Sequence, residues 1–342
     1  MRYFSLDVLR GMAAFGIMIY HYATWTFGHF QASNPLGRFG VYGVSIFYIL
    51  SGLTLTLIYP YSSLNGLNLL SKFYVKRFFR LFPLLWIIML LNIIVYQNRF
   101  NTSDIVLVFS GFFSILKWDA TTPLGFWSIG NELFFYMIFP SIVYFINLNK
   151  IRACIVIFIL FLTIHLFFSY KMYSFLVNYT IDWIYKNPLN QVFYFILGIL
   201  IAHVSQYINL SSKLLIAILL IALILFCFYP IRGTQFNLFI GNPRLIMTFI
   251  SCVIVFSFYK LEFNKYPKFI KYIFKILGEV SYSLYLIHGL VWSFFVFLSI
   301  KISCVIPLSI IFSLVTSFLL HYYFEIPIKN WGYKLLKKKI NK

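Results

Sequence analysis

Acidic residues are scarce in this chain: 8 of its 342 residues are Asp or Glu, against 28 Lys and Arg. Charged residues of both signs make up only 11% of the sequence. A soluble domain carries about 25%, so an ordinary water-soluble globule is excluded. Cysteine is also sparse. Cys154, Cys227, Cys252 and Cys304 stand far apart, each within an apolar run and without C-x-x-C spacing. Neither a zinc site nor a disulfide framework is indicated, and helix packing is the expected role. No long hydrophilic stretch is present, so no appended soluble domain is expected. A cleavable signal peptide is not expected either. The first apolar run carries Asp7 and Arg10 where a signal has its apolar centre, and no A-x-A-like site follows. No internal repeat is visible, which speaks against duplicated transporter folds.

What the chain has in quantity is apolar surface: 61% hydrophobic residues, 22% aromatic, and a mean hydropathy of +0.87. Apolar stretches near 8–27, 38–58, 81–97, 130–147, 153–170, 190–207, 212–229, 244–259, 278–298 and 303–324 approach the roughly 20 residues a helix needs to span a bilayer. The runs are continuous, without the alternation of barrel strands. These features predict an all-α integral membrane protein of about ten transmembrane helices, forming a single domain over 1–342. A shorter piece near 104–116 reads as interfacial or re-entrant. With the N-terminus inside, 19 of the 28 basic residues fall on the cytoplasmic side. The outer side keeps Arg38, Arg99, Lys117, Lys171, Lys186, Arg232, Arg244 and Lys301. The positive-inside rule therefore predicts cytoplasmic termini. It also explains the net charge of +20 without nucleic acid, which is not an expected partner.

Five segments carry polar groups that an apolar span does not need. In LDVLRGMAAFGIMIYHY, Arg10 and His21 are eleven residues apart, on one helical face and about 16 Å apart along the axis. Asp7 sits one turn before Arg10 and can orient it. In KFYVKRFFRLFP, Lys76, Arg77 and Arg80 lie within about one turn, a cluster suited to phosphate or to a topology signal. In PLGFWSIGNELFFY, Trp127 suits the interface, and Ser128 can cap a helix whose first turn holds Asn131 and Glu132. Glu132 reads equally as a helix-dipole partner or as a group that accepts a proton or binds a hydroxyl. In GEVSYSLYLIHG, Ser281, Tyr285 and His288 share one face. In HYYFEIPIKNW, Glu325 follows His321 by one turn, and Pro327 is expected to break the helix. His29, His165 and His203 stand alone and read as structural. Of the eight acids, Asp7, Glu132, Glu279 and Glu325 fall in these segments, whereas Asp104, Asp119, Asp182 and Glu262 read as loop residues.

In this order, the segments resemble the membrane acyltransferase-3 family of bacterial multi-spanning O-acyltransferases. The opening helix resembles the family's arginine and histidine separated by ten residues. FYILSGLTLT, with Ser51, is similar to F-F-x-x-S-G-F, departing at Tyr48 and Leu53. KRFFRLFPLLW resembles R-x-x-R-[IL]-x-P-x-[YW], and FWSIGNELFFY resembles W-S-L-x-x-E-x-x-F-Y. GEVSYSLYLIH, with Tyr282, matches G-x-x-S-Y-x-x-Y-L-x-H, and FEIPIKNW is similar to a closing E-x-P. The likeness covers about residues 3–331.

The resemblance implies transfer of an acyl group, usually acetyl from acetyl-CoA, to a hydroxyl of a surface polysaccharide or its lipid-linked precursor. It places the chain in the bacterial cytoplasmic membrane, among other envelope-biosynthesis proteins, with no permanent cofactor and no metal. His21, Arg10 and Glu132 become the expected catalytic residues, with His21 as general base. Arg10, Arg77, Arg80, Ser281, Tyr285 and His288 become the expected acyl-CoA contacts, supported by Asp7, Ser51, Trp127, Tyr282 and Glu325. A glycan transporter or flippase and a polysaccharide polymerase are the competing readings. The first should show broken midplane helices in repeated halves, and the second a larger polar outer loop.

Overall fold

The computed structural model describes residues 3–97, 99–171, 181–261 and 267–340. Arg2, Lys265 and Lys342 of the basic set, and Glu262 of the acids, lie outside the described residues. Every predicted apolar stretch is helical. In chain order the helices are α1 Phe4–Phe27, α2 Pro35–Ile58, α3 Leu67–Val95, α4 Thr102–Ser110, α5 Phe113–Leu116 and α6 Phe126–Leu148. They continue as α7 Lys150–Tyr170, α8 Ile181–Lys186, α9 Pro188–Val204, α10 Ser212–Phe228 and α11 Gly241–Lys260. The last four are α12 Lys268–Glu279, α13 Ser281–Phe297, α14 Ile302–Leu320 and α15 Ile326–Ile340. Among the described residues there is no strand, only a single bridge between Gln31 and Thr234.

The chain is a multi-spanning α-helical membrane protein. Among the described residues, seven helices are long and apolar enough to cross a bilayer, and eight if α12 and α13 together form one broken span. Two of the ten expected spans stand apart from these. Helix α1 is 24 residues long but carries Asp7 and Arg10, and α10 is apolar but only 17 residues long. The 104–116 piece forms the short helices α4 and α5.

Local chemistry sets several helix starts. The side chains of Asn149, Asn187 and Ser211 accept from the backbone N–H of Arg152, Leu189 and Leu214, which starts α7, α9 and α10. Pro188 opens α9, where a missing N–H is harmless.

The helices form two compact units. The first contains 1–58 and 148–281, and the second 59–147 and 282–342. In the first, α2 crosses α9 with almost no side chain between them. A Cβ on Gly52 would lie 2.1 Å from the Phe195 oxygen, and one on Gly198 2.0 Å from the Ile49 oxygen. Small residues are what allow spanning helices to approach this closely. Helix α1 meets α12 in the same way: a Cβ on Gly278 would lie 2.4 Å from the Asp7 oxygen. In the second unit, Gly332 of α15 lies flat against the Phe79 ring of α3, and Trp331 meets that ring edge-on at 5.6 Å.

The second unit also orders the segment before α6. Asp104, fully buried in the first turn of α4 rather than in a loop, accepts from Lys117 Nζ at 2.7 Å and from the Thr121 N–H at 2.9 Å. This carboxylate holds the Lys117 ammonium above its ordinary pKa, chiefly through the hydrogen bond.

Candidate active site

The predicted residues fall into two constellations, one in each unit. In the first unit, Arg10 and His21 both project from the continuous helix α1, eleven residues apart. Arg10 is fixed rather than extended toward the surface. Its Nη1 lies 3.6 Å from Asp7 Oδ1, and its Nη2 donates to Thr54 Oγ1 at 3.3 Å. Thr54 donates in turn to the Leu50 carbonyl at 2.6 Å, so its oxygen faces the guanidinium as an acceptor. Asp7 is buried, and its main chain is the part of α1 that meets Gly278. The i, i+3 pairing read from the sequence is therefore present. His21 is half-buried near the other end of α1. Its ring stacks on Trp25 at 5.5 Å and 12°, with Tyr20 at 5.3 Å. Ser51 is buried in α2, next to the Gly52 crossing.

The second unit gathers most of the other groups. Helix α3 begins at Leu67, so Arg77 and Arg80 lie three turns inside it rather than before a span. Arg77 is buried and donates to the Tyr59 hydroxyl at 3.0 Å. Its guanidinium carbon lies 5.3, 5.9 and 5.6 Å from the rings of Tyr59, Phe73 and Tyr136, and its Nε has no hydrogen-bond partner. A cation held by three rings is stabilised through their faces while its N–H groups stay available. Arg80, half-buried one turn later, feels the charges of both Glu132 and Glu325, together with the hydroxyls of Tyr136 and Tyr282. Tyr136 donates to Glu132 one turn away on α6. Tyr282 donates to the Leu81 carbonyl at 2.7 Å.

Ser128 does not cap α6, which starts two residues earlier at Phe126. Its hydroxyl donates to the Gly125 carbonyl at 2.7 Å and, with its proton so used, accepts from the Tyr285 hydroxyl at 2.7 Å. Asn131 is fully buried beside Ser114, whose hydroxyl donates to its Oδ1 at 2.8 Å. Trp127 is half-buried in the first turn of α6, and Glu132 belongs to the second turn. On α13, Ser281 donates to the Gly278 carbonyl at 2.9 Å. Buried His288 uses Nδ1–H on the Leu284 carbonyl at 3.1 Å, with Tyr285 6.0 Å away ring to ring.

Pro327 does not break the last helix. It is the second residue of α15 but lies inside one helix that is continuous from Ser303 to Leu336, and α15 runs on to Ile340. The irregularity lies just before it: His321–Glu325 form a π-helical turn. Such turns often occur at functional sites. Within it His321 Nδ1 donates to Glu325 Oε2 at 2.8 Å, while Glu325 Oε1 is buried without a hydrogen-bond partner.

A third polar cluster, in the first unit, was not anticipated. Arg244 is 2% exposed and donates to the Asn190 carbonyl at 2.9 Å and to His165 Nδ1 at 3.0 Å. Because a guanidinium only donates, Nδ1 must accept. The ring proton then sits on Nε2, 3.3 Å from Thr248 Oγ1. The available signal was an isolated histidine inside an apolar run, which in a membrane helix needs a partner. Nearby Arg38, 1% exposed, spends all its groups on carbonyls: Ala32 at 2.7 Å, Phe226 at 2.9 Å and Tyr229 at 2.5 Å. Phe226 lies in the last turn of α10, so Arg38 closes that helix. No group of three or more metal-ligating side chains occurs among the described residues.

A family model described as an acyltransferase domain matches residues 3–322. Over 158 residues the chain is 27% identical to the peptidoglycan O-acetyltransferase OatA of Listeria monocytogenes, a match covering 40% of this chain and 23% of that protein. The chain thus spans less than a quarter of that relative. No solved structure matches. With nearly its whole length matched, the chain belongs to this acyltransferase family.

Proposed function

We propose that this acyltransferase moves an acetyl group from cytoplasmic acetyl-CoA to a hydroxyl of a surface polysaccharide or its lipid-linked precursor, in the bacterial cytoplasmic membrane. The observation that carries the reading is on α1. Arg10 is oriented by Asp7 and Thr54, and His21 lies about 16 Å further along the same rigid helix, a separation of the order of a pantetheine arm. His21 takes the proton of the acceptor hydroxyl, whose oxygen attacks the thioester carbonyl. The carbon–sulfur bond breaks, and the proton passes to the departing thiolate. Imidazole suits both halves of this transfer, since its pKa lies near neutrality.

Arg77 and Arg80 receive the phosphates of the donor. Arg77 supports this best, since its guanidinium is held by rings and its Nε is unspent. Arg80 lies in the field of Glu132 and Glu325, which a phosphate would have to displace in part. Glu132 orients the acceptor hydroxyl. Ser281, Tyr285 and His288 shape the donor path or polarise the carbonyl, and the Ser128 hydrogen bond fixes Tyr285 for that task. Trp127, Tyr282, Ser51 and Glu325 support these groups. The acetyl reading also draws on the relative's name.

The test compares O-acetyl content of the cell's glycan in wild type and His21→Ala at equal expression. A fall of about 10²-fold or more is expected for loss of a general base. Unchanged acetyl content would remove His21 from the role. A lost chain length in place of lost acetyl would instead favour a polymerase, and a lipid-linked precursor stranded inside a flippase.

A further inference from the structure

The first unit contains an apolar groove of about 370 Å³ between α7, α9 and α11. Cys154, Phe158, Leu200, Ile201, Cys252 and Phe256 line it. Its mouth includes Ile155 and Val204, apolar side chains 52% and 48% exposed on spanning helices, so it opens to hydrocarbon rather than to water. One end is basic. The ammonium of Lys260 donates to the Ser205 carbonyl at 2.9 Å, and Ser205 itself lines the groove. Lys150 lies 5.4 Å over the Tyr207 ring and is the charged group acting on His203. His203 Nε2 is buried there without a hydrogen-bond partner. Both lysines thus converge on residues 203–207 at the C-terminal end of α9, and α7, α9 and α11 themselves contain no acidic residue.

We propose that this groove binds one anionic glycerophospholipid. An acyl chain lies along the Cys154–Cys252 wall, and the phosphate is held by Lys150 and Lys260 beside His203. An apolar slot alone would fill with any lipid tail. The paired lysines, each with ammonium protons left over, add selection for a negative headgroup. This site involves none of the residues assigned to acyl transfer and does not depend on that assignment.

The test is native mass spectrometry of the purified chain with equimolar phosphatidylglycerol and phosphatidylethanolamine. One phosphatidylglycerol should be retained per chain, with a preference of about fivefold or more, the effect of one lysine near an anionic surface. Lys150→Gln with Lys260→Gln should bring the two lipids to parity at unchanged melting temperature. Ile155→Trp, which fills the mouth from an exposed position, should abolish retention of both. Bound phosphatidylglycerol should also slow alkylation of Cys154. Equal retention of the two lipids by the wild-type chain would overturn the proposal, as would a preference that survives the double lysine variant. A polyprenyl phosphate that displaces phosphatidylglycerol would reassign the groove to a lipid-linked substrate and overturn it equally.

Discussion

Arg38 and Arg244 in the first unit and Arg77 and Arg80 in the second are all removed from water to some degree, yet their surroundings differ in kind. Arg38 donates to three main-chain carbonyls, and Arg244 to two carbonyls and a neutral imidazole, although its Nε, like that of Arg77, has no hydrogen-bond partner. Such partners do not change during a reaction, so these two arginines join loops and helix ends. Arg77 is held by the faces of three rings and donates to the Tyr59 hydroxyl, and Arg80 stands in the field of two carboxylates. Rings do not neutralise a guanidinium, so Arg77 keeps its charge for an incoming anion, whereas the carboxylates offset part of the charge of Arg80. Burial alone does not distinguish a structural arginine from a working one. The chemistry of its partners does.

Arg38→Met tests the structural side most severely. It orphans three carbonyls at about 1–3 kcal/mol each, so a stability loss of about 3 kcal/mol or more is expected, read as a lowered melting temperature in detergent. Asp104→Ala extends the contrast to a lysine. It removes the acceptor of Lys117 and Thr121 and should cost about 1–2 kcal/mol in the same assay. The Lys117 pKa is raised in the fold, so its contribution is fully present below the unfolded value of 10.5 and fades as pH rises past the folded one. Arg77→Lys should leave the melting temperature unchanged, because a cation remains among the three rings. The apparent KM for acetyl-CoA should rise about tenfold, the loss of one charge-assisted hydrogen bond. If Arg77→Lys melts as readily as Arg38→Met, the two classes of arginine are one. Tyr285→Phe is the mildest change, removing one hydrogen bond to Ser128 for about 1 kcal/mol or less.

The helices were legible because each apolar run is long enough to commit its backbone to internal hydrogen bonds in lipid. The Asp7–Arg10 pair was legible as well, since three residues on a helix is a local distance. What pattern could not supply was contact across many residues. Ser128 meets Tyr285 157 positions later, and Arg244 meets His165 79 positions earlier. Neither has a local spacing that names its partner. Where the sequence reading misplaced a residue, the cause was a helix boundary. With α3 starting at Leu67 and α6 at Phe126, the basic cluster moves inside a helix and Ser128 loses its capping position.

The π turn at His321–Glu325 acts as a phase adjuster for all that follows it. Wider winding over these five residues offsets the azimuth of α15 relative to α14, and that offset brings Gly332 flat onto Phe79. Removing one residue at exposed Tyr323 would let the turn relax to ordinary α-helix. Five residues of a π turn wind about as far as four of an α-helix, so α15 would keep its azimuth. Gly332 and Trp331 would stay on the Phe79 ring, whereas rewinding all five residues as α-helix would carry both away from it together.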